Sequence, residues 1–142
     1  LKVLATDISE AALVVARRNA STHGVQDRIQ FIQADCLEIP AELYERGGKF
    51  QMLISNPPYI APSFEESLAP EILRHEPRGA LFAAEDGDAM LRNLIDGAPA
   101  LVEEGGGVIL ESGTQDQISR CLQRIADNRQ YLLGNKVEDV SS

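Results

Sequence analysis

The tetrapeptide Asn56-Pro57-Pro58-Tyr59 directly follows the apolar strand-like run at residues 50–55. Proline has no N–H and holds φ at about −65°, and it pushes the residue before it out of the α region. The segment is therefore predicted to be extended, with the Asn56 amide and the neighbouring carbonyls available as acceptors. Such a rigid row of acceptors suits a planar group that carries N–H donors. The alternative is an ordinary turn, because Asn-Pro and Pro-Pro are common in loops.

Four polar side chains fall at the carboxyl ends of predicted strands: Asp7, Asp35, Asn56 and Glu111. In open α/β sheets these strand ends lie at one edge, and ligands bind there. We therefore expect the four side chains to line one edge. For Glu111 two interpretations stay open, a residue of the site or a carboxylate satisfied by backbone N–H groups.

Asp7 ends a strand and precedes a helix, where an acidic side chain of a dinucleotide-binding fold accepts hydrogen bonds from ribose hydroxyls. Capping of the next helix is the alternative. In those folds a glycine-rich turn lies about 20 residues before the acid, but only six residues precede Asp7. We therefore expect the glycine-rich loop and its strand to be absent. Because the chain starts at Leu1 and not at Met, it is predicted to be part of a larger protein.

Asp35 could accept a hydrogen bond from the exocyclic amine of a purine, with Cys36 beside the ring. The alternative is common turn chemistry, since Asp is frequent after strands. The glycine run at residues 105–107 is predicted to be a turn and not a phosphate cradle, because it precedes a strand and not a helix.

Strand and helix patterns alternate along the chain, which predicts an α/β fold of the doubly wound type with a mostly parallel sheet. Strands are predicted at residues 2–6, 28–33, 50–55 and 108–111, with a last one beginning at 131–133. Helices are predicted from the cap Ser9 to a stop at Gly24, across residues 88–103, and after Thr114, which has capping-box spacing with Gln117. Residues 60–87 are predicted to be irregular.

The composition narrows the class of partner. The chain has 142 residues and a formal net charge of −9, so a broad electrostatic contact with nucleic acid is not expected. Cys36 and Cys121 belong to no metal or disulfide pattern, and His23 and His75 have no partner at catalytic spacing, so no metal site is predicted. Reduced cysteines favour a cytoplasmic location, and without a long apolar run no membrane partner is predicted.

Six segments, read in order, are typical of one enzyme family: ATDIS, ARRNA, QAD, ISNPPYI, HEPRGALFAAEDG and GGGVILESGTQDQ. Together they resemble the class I S-adenosylmethionine methyltransferases with an NPPY motif. EP-x-x-AL, the following DG and LE-x-G narrow the resemblance to the HemK/PrmC family, which methylates the glutamine of the GGQ motif in peptide chain release factors. The resemblance covers roughly residues 1–125. It implies a Rossmann-like fold, with residues 1–142 forming part of a catalytic domain that lacks the first strand and glycine-rich loop.

The resemblance also implies roles for single residues. Asp7 would bind the ribose of S-adenosylmethionine, and Asp35 and Cys36 would border its adenine. Asn56 would lie between the methyl donor and the substrate. Residues 56–59, which are Asn56, Pro57, Pro58 and Tyr59, would bind the substrate glutamine, with Asn56 and Pro57 as the catalytic residues. A peptide chain release factor would be the partner.

This chain departs from the family's pattern in several places. The segment LFAAEDG lacks a glycine that the family often has before the DG, and the ending LLGNKVEDVSS does not match the family's usual last strands. Cys36 stands where the family often has an aromatic residue. Asp116 stands where the family often has a glutamine, and residues 115–117 are therefore given no site role.

The chemistry of an amide substrate agrees with this loop. An amide nitrogen is a poor nucleophile, and acceptors at Asn56 and Pro57 could hold it in line and stabilise its developing positive charge. The exocyclic amine of adenine or guanine in nucleic acid is an equally planar donor and is the alternative substrate. A non-catalytic remnant or interaction module is the third hypothesis. We expect the 142-residue chain by itself to be inactive and to bind the cofactor weakly or not at all.

Overall fold

The computed structural model describes residues 1–45, 48–84, 87–128 and 130–131, in two compact units, Leu1–Lys49 and Phe50–Ser142. The first unit contains β1 (Val3–Asp7), α1 (Glu10–Thr22), β2 (Ile29–Gln33) and the short α2 (Glu42–Glu45). The second contains β3 (Phe50–Ser55), α3 (Pro70–His75), α4 (Arg78–Leu81), α5 (Ala89–Leu101), β4 (Val102–Leu110) and α6 (Gln115–Asp127). The prediction that residues 1–142 form one domain stays a prediction.

In the first unit α1 connects two parallel strands. The pairing of β1 with β2 runs in register from Val3 opposite Ile29 to Asp7 opposite Gln33. Ser9 caps α1 as predicted, since its hydroxyl accepts a hydrogen bond from the Ala12 N–H at 3.2 Å. Just beyond the helix, Gly24 has φ +65°, a left-handed conformation that suits glycine at a helix end.

In the second unit α5 forms the core. Its buried residues recur at helical spacing and pack against β4 and α6; they are Leu91, Leu94, Ile95, Ala98 and Leu101. Strand β3 pairs with β4 in parallel, and Ile54 lies opposite Ile109. These two side chains are more than half exposed, so the apolar contact of this sheet lies on the α5 side within the unit.

Parallel pairing is confirmed in both units. The single sheet that the sequence predicts is present as two two-stranded sheets, because among the described residues β1 pairs with β2 and β3 with β4. Each pair is joined by a helical crossover, which is the connection that parallel strands require.

The glycine run corrects the predicted boundary of the last described strand. Instead of breaking the chain before residue 108, it lies inside β4. Phe50 pairs with Val102 but Met52 pairs with Gly107, so residues 103–106 form a bulge opposite Gln51. A Cβ at Gly106 would lie 2.8 Å from the Gln51 carbonyl oxygen. The strand can therefore continue through this bulge only because glycine brings two backbones close together.

The predicted irregular stretch is instead largely helical. It holds a 3₁₀ segment at Pro62–Ser67 followed by α3 and α4. Pro62 and Pro70 lie in the first turn of their segments, where the fixed φ of proline fits and its missing N–H costs nothing. Pro62 and Pro70 therefore start helical segments in a stretch that was predicted to be irregular.

Three predictions fall wholly or partly on residues that are not described. They concern Asp86 of the DG pair, Gly47 in the connection before β3, and Leu132 and Leu133 of the last predicted strand. Tyr131, the first residue of that strand, is described and is not in a strand. In the ranges given above, no helix is both long enough and apolar enough to cross a membrane.

Tyr131 compensates for a proline inside α5. Pro99 has no N–H to donate to the carbonyl of Ile95, four residues earlier. The Tyr131 hydroxyl donates to that oxygen at 2.6 Å instead. Ile95 is only 1% exposed, so its carbonyl would otherwise lack a partner in a buried position.

We expect Tyr131→Phe to lower the free energy of unfolding by about 1–2 kcal/mol, because it leaves the buried Ile95 carbonyl unsatisfied. The same substitution in a Pro99→Ala background should cost much less, since the alanine N–H can bond to Ile95. Urea unfolding of the four proteins measures the coupling. An equal loss in both backgrounds would contradict this compensation.

Candidate active site

The NPPY loop leaves β3 with its backbone fixed and its amide exposed. The Glu111 N–H donates to the Ser55 carbonyl at 3.0 Å, which extends the ladder to the end of both strands. Pro57 is buried and Pro58 half-buried, whereas Asn56 is exposed. Within the described part of the chain the Asn56 amide forms no hydrogen bond. The loop therefore presents a free polar side chain on a constrained backbone.

Tyr59 is held at both of its ends. Its hydroxyl donates to Glu111 Oε1 at 3.1 Å, and its carbonyl accepts from Gln117 Nε2 at 2.7 Å. Burial first, and then the hydrogen bond to the Glu111 carboxylate, raises the pKa of the Tyr59 hydroxyl. Of the two interpretations for Glu111, backbone N–H groups are not what its side chain contacts; it meets the aromatic residue of the loop.

Two glycines let other parts of the chain approach Tyr59. A Cβ at Gly113 would lie 2.8 Å from the Tyr59 ring, and one at Gly87 would lie 2.4 Å from the Tyr59 carbonyl oxygen. Gly87 also has φ +87°, where other residues are strained. Only glycine allows this close approach to Tyr59 at Gly113, the glycine of LE-x-G, and at Gly87, the glycine of the DG pair.

Gln117 is the residue of this site that the sequence did not reveal. The predicted capping box is present, since Thr114 Oγ1 accepts from the Gln117 N–H. Its side chain, however, is 3% exposed and bonds to Tyr59, which contradicts the absence of a site role for residues 115–117. Capping-box spacing was the only available signal, and it gives no information on a contact 58 residues away.

Asp7 and Asp35 lie at the same edge of the first unit. Asp7 ends β1, opposite the last residue of β2, and Asp35 follows two residues beyond β2. One Asp7 oxygen accepts from the Ser9 N–H at 2.8 Å, so Asp7 does help to start α1. Neither its second oxygen nor the exposed Asp35 carboxylate has a partner in the described ranges.

Cys36 lies in a strained turn directly after Asp35. It is the one described residue other than glycine with a positive φ, at +49°, a conformation that costs about 1–2 kcal/mol. Such strain is concentrated at functional sites in proteins. Burial raises the pKa of the half-buried thiol, so it is protonated near neutral pH. Both cysteines are free, and no described group of three or more acidic, His or Cys side chains could hold a metal ion.

The four predicted strand-end residues thus fall into two pairs. Asp7 and Asp35 lie together in the first unit, and Asn56 and Glu111 lie together in the second. Acceptor oxygens at Asp7 and Asp35 fit the hydroxyl and amine donors of a nucleoside. The exposed amide of Asn56 fits a planar N–H donor.

Parallel strands with helical crossovers and polar strand ends define a Rossmann-like α/β domain, which confirms the predicted fold class. The family model described as "RMKL-like, methyltransferase domain" matches residues 1–76, just over half of the chain. A release factor glutamine methyltransferase of Chlorobaculum tepidum is 43% identical to this chain over 78% of the chain's length. One of Xylella fastidiosa is 46% identical over 79%. The chain therefore belongs to this methyltransferase domain family, and its similarity to these relatives identifies it as a member of the HemK/PrmC family.

The chain spans 37% and 38% of the length of these two relatives. A bifunctional methyltransferase of Rickettsia bellii is 35% identical over 99% of the chain, which spans 24% of that protein. The likeness therefore extends past residue 125, where the resemblance was expected to end.

We expect the stabilising effect of the Tyr59 hydroxyl to depend on pH. Because its folded pKa is raised above the ordinary value of 10.0, its contribution is complete below that pH and is lost as pH rises through the folded pKa. The melting temperature of the native protein should be slightly higher than that of Tyr59→Phe at about pH 8, and the difference should shrink as pH rises above about 10 and through the raised folded pKa. A constant difference across this range would contradict the hydrogen bond to Glu111.

Proposed function

We propose that the full-length protein transfers a methyl group from S-adenosylmethionine to the side-chain amide nitrogen of a glutamine, in the GGQ motif of a peptide chain release factor. The observation that carries this proposal is the Asn56 amide, exposed and without a described partner on a loop fixed by its prolines and by Tyr59. The names of the relatives support the substrate.

The chain supplies positioning and charge stabilisation. The Asn56 side-chain oxygen and the Pro57 carbonyl each accept one N–H of the substrate amide, which orients its nitrogen and stabilises the positive charge that develops there. When bound, S-adenosylmethionine would supply the methyl group that this nitrogen receives, leaving as the neutral thioether while the nitrogen loses one proton to water. No side chain with a shifted pKa is needed to start this reaction.

The strand ends of the first unit are the proposed cofactor contacts. One Asp7 carboxylate oxygen already accepts a hydrogen bond from the Ser9 N–H. The second oxygen is therefore the one that would accept a hydrogen bond from a ribose hydroxyl. The exposed Asp35 carboxylate would accept a hydrogen bond from the adenine amine, and the half-buried Cys36 would border the adenine ring. Asp7 therefore serves both interpretations of the sequence, as a cofactor ligand and as part of the start of α1.

Mass spectrometry decides between substrates. The full-length protein and S-adenosylmethionine are incubated with a release factor and, separately, with ribosomal RNA. One added methyl group on the GGQ glutamine is the expected result. Methylation of RNA alone would replace this proposal with the nucleic-acid alternative, which the net charge of −9 disfavours. Methylation of neither would favour a non-catalytic role.

Asn56→Ala in the full-length protein should lower kcat by about 100- to 1,000-fold, the usual cost of removing one group that stabilises developing charge. The Kd of S-adenosylmethionine, measured by calorimetry, should change far less. Asn93→Ala is the matched control, because Asn93 is exposed on α5. Equal losses in kcat and cofactor affinity would contradict the role of Asn56.

A further inference from the structure

The side-chain amide of Gln117 is almost fully buried and forms three hydrogen bonds. Its Oε1 accepts from the Gly113 and Thr114 N–H groups at 3.1 and 3.2 Å, and its Nε2 donates to the Tyr59 carbonyl at 2.7 Å. The opposite amide orientation would place N–H groups against N–H groups and oxygen against oxygen. The contacts therefore determine which end of the amide faces Tyr59.

A helix cap does not require this arrangement. In a capping box the side chain at the third helical position bonds to the N-cap N–H, and its remaining polar atoms can face water. Here the Nε2 end of Gln117 is buried against the last residue of the NPPY loop. A buried amide without a partner is costly, so this hydrogen bond ties the start of α6 to the loop.

The surroundings of this hydrogen bond are rigid. The Gly87 and Gly113 backbones leave no room for a side chain on either side of it. The helix that carries Gln117 is also fixed, because Arg120 donates two hydrogen bonds to Asp88, one of them Nη2 to Oδ1 at 3.0 Å. Asp88 is 2% exposed and directly follows Gly87. Movement of Gln117 would therefore disturb a packed core.

The loop between its two fixed ends is short. Ser55 is fixed by the Glu111 N–H, and Tyr59 is fixed by Gln117. Only Asn56 and two prolines with restricted φ lie between them. The direction of the Asn56 side chain and of the Pro57 carbonyl therefore depends on where the Tyr59 carbonyl is held.

We propose that Gln117 is a positioning residue for methyl transfer, which holds the Tyr59 carbonyl and thereby sets the direction of the Asn56 and Pro57 acceptors. This inference rests on the proposed function. Gln117 does not touch the substrate; it acts through Tyr59. The expected consequence of its loss is a slower chemical step with cofactor binding unchanged.

Two substitutions separate positioning from capping. Gln117→Glu keeps both acceptor contacts to Gly113 and Thr114, but donates to Tyr59 only when the new carboxyl is protonated. Gln117→Met has similar length and cannot donate at any pH. Gln123→Glu adds the same charge at an exposed position of α6, where the native side chain bonds to Asp127, and serves as the control.

We expect kcat of Gln117→Glu in the full-length protein to fall by about 10- to 100-fold at about pH 8, with a smaller change in KM for the glutamine peptide. Relative to native protein, kcat should recover as pH falls and the new carboxyl becomes protonated. Burial and the facing Tyr59 oxygen raise the pKa of that carboxyl, and the Gly113 and Thr114 N–H groups lower it. The charged groups near this position are Glu111, Asp88 and Arg120.

Gln117→Met should be slow at every pH, and Gln123→Glu should match native protein. A purely structural cap predicts that the ratio of Gln117→Glu to native kcat does not vary with pH. That result, or a loss that appears in the Kd of S-adenosylmethionine instead of kcat, would overturn the inference.

A second measurement does not require activity. Tyr59-Ile60 is the one Tyr-Ile pair in this chain, so carbonyl-¹³C tyrosine with ¹⁵N isoleucine gives a carbonyl signal that Tyr59→Phe identifies. Gln117→Met should move the Tyr59 carbonyl ¹³C signal upfield, because the hydrogen bond to that carbonyl is lost. In Gln117→Glu the chemical shift of this signal should change with pH. If native protein methylates no glutamine, the proposed function fails while this signal still tests the contact. An unchanged Tyr59 carbonyl signal in both variants would refute the hydrogen bond from Gln117 to Tyr59, and with it the positioning role of Gln117.

Discussion

Parallel pairing of β3 with β4 is the constraint on which the site of the second unit depends. The two strands end at the same level, so the Ser55 carbonyl meets the Glu111 N–H and the chain segments beyond them leave side by side. That places Asn56 and Tyr59 on one segment next to Gly113 and Gln117 on the other. Antiparallel pairing of the same residues would send the two segments to opposite ends of the sheet.

Backbone chemistry then restricts what those segments can do. The prolines of the loop limit its conformations, and glycines at 87 and 113 admit the Tyr59 ring and carbonyl where any side chain would collide. A polar group is buried only where it is bonded, as Gln117 is to three partners. The Asn56 amide, by contrast, is exposed and forms no hydrogen bond with the described residues.

The first unit uses the same edge of a parallel pair for a different purpose. Asp7 at the end of β1 and Asp35 beyond β2 present carboxylates there, and Cys36 in the following turn has a strained positive φ. Acceptors for hydroxyl and amine donors therefore stand in one unit and acceptors for an amide in the other.

The sequence by itself determined β1, β2 and β3, the caps at Ser9 and Thr114, and the position of the NPPY loop, because each is specified by residues a few positions apart. It placed Asp7, Asp35 and Asn56 at strand ends for the same reason. The helical segments in residues 60–87 and the bulge in β4 were not predicted, since proline permits a helix start, and glycine a bulge, as well as a break in the chain. Only the tertiary structure decided that Gln117 and Glu111 form hydrogen bonds with Tyr59, and that the Tyr131 hydroxyl donates to the Ile95 carbonyl. Those contacts join residues 36 to 58 positions apart, and no local pattern specifies which buried donor meets which acceptor.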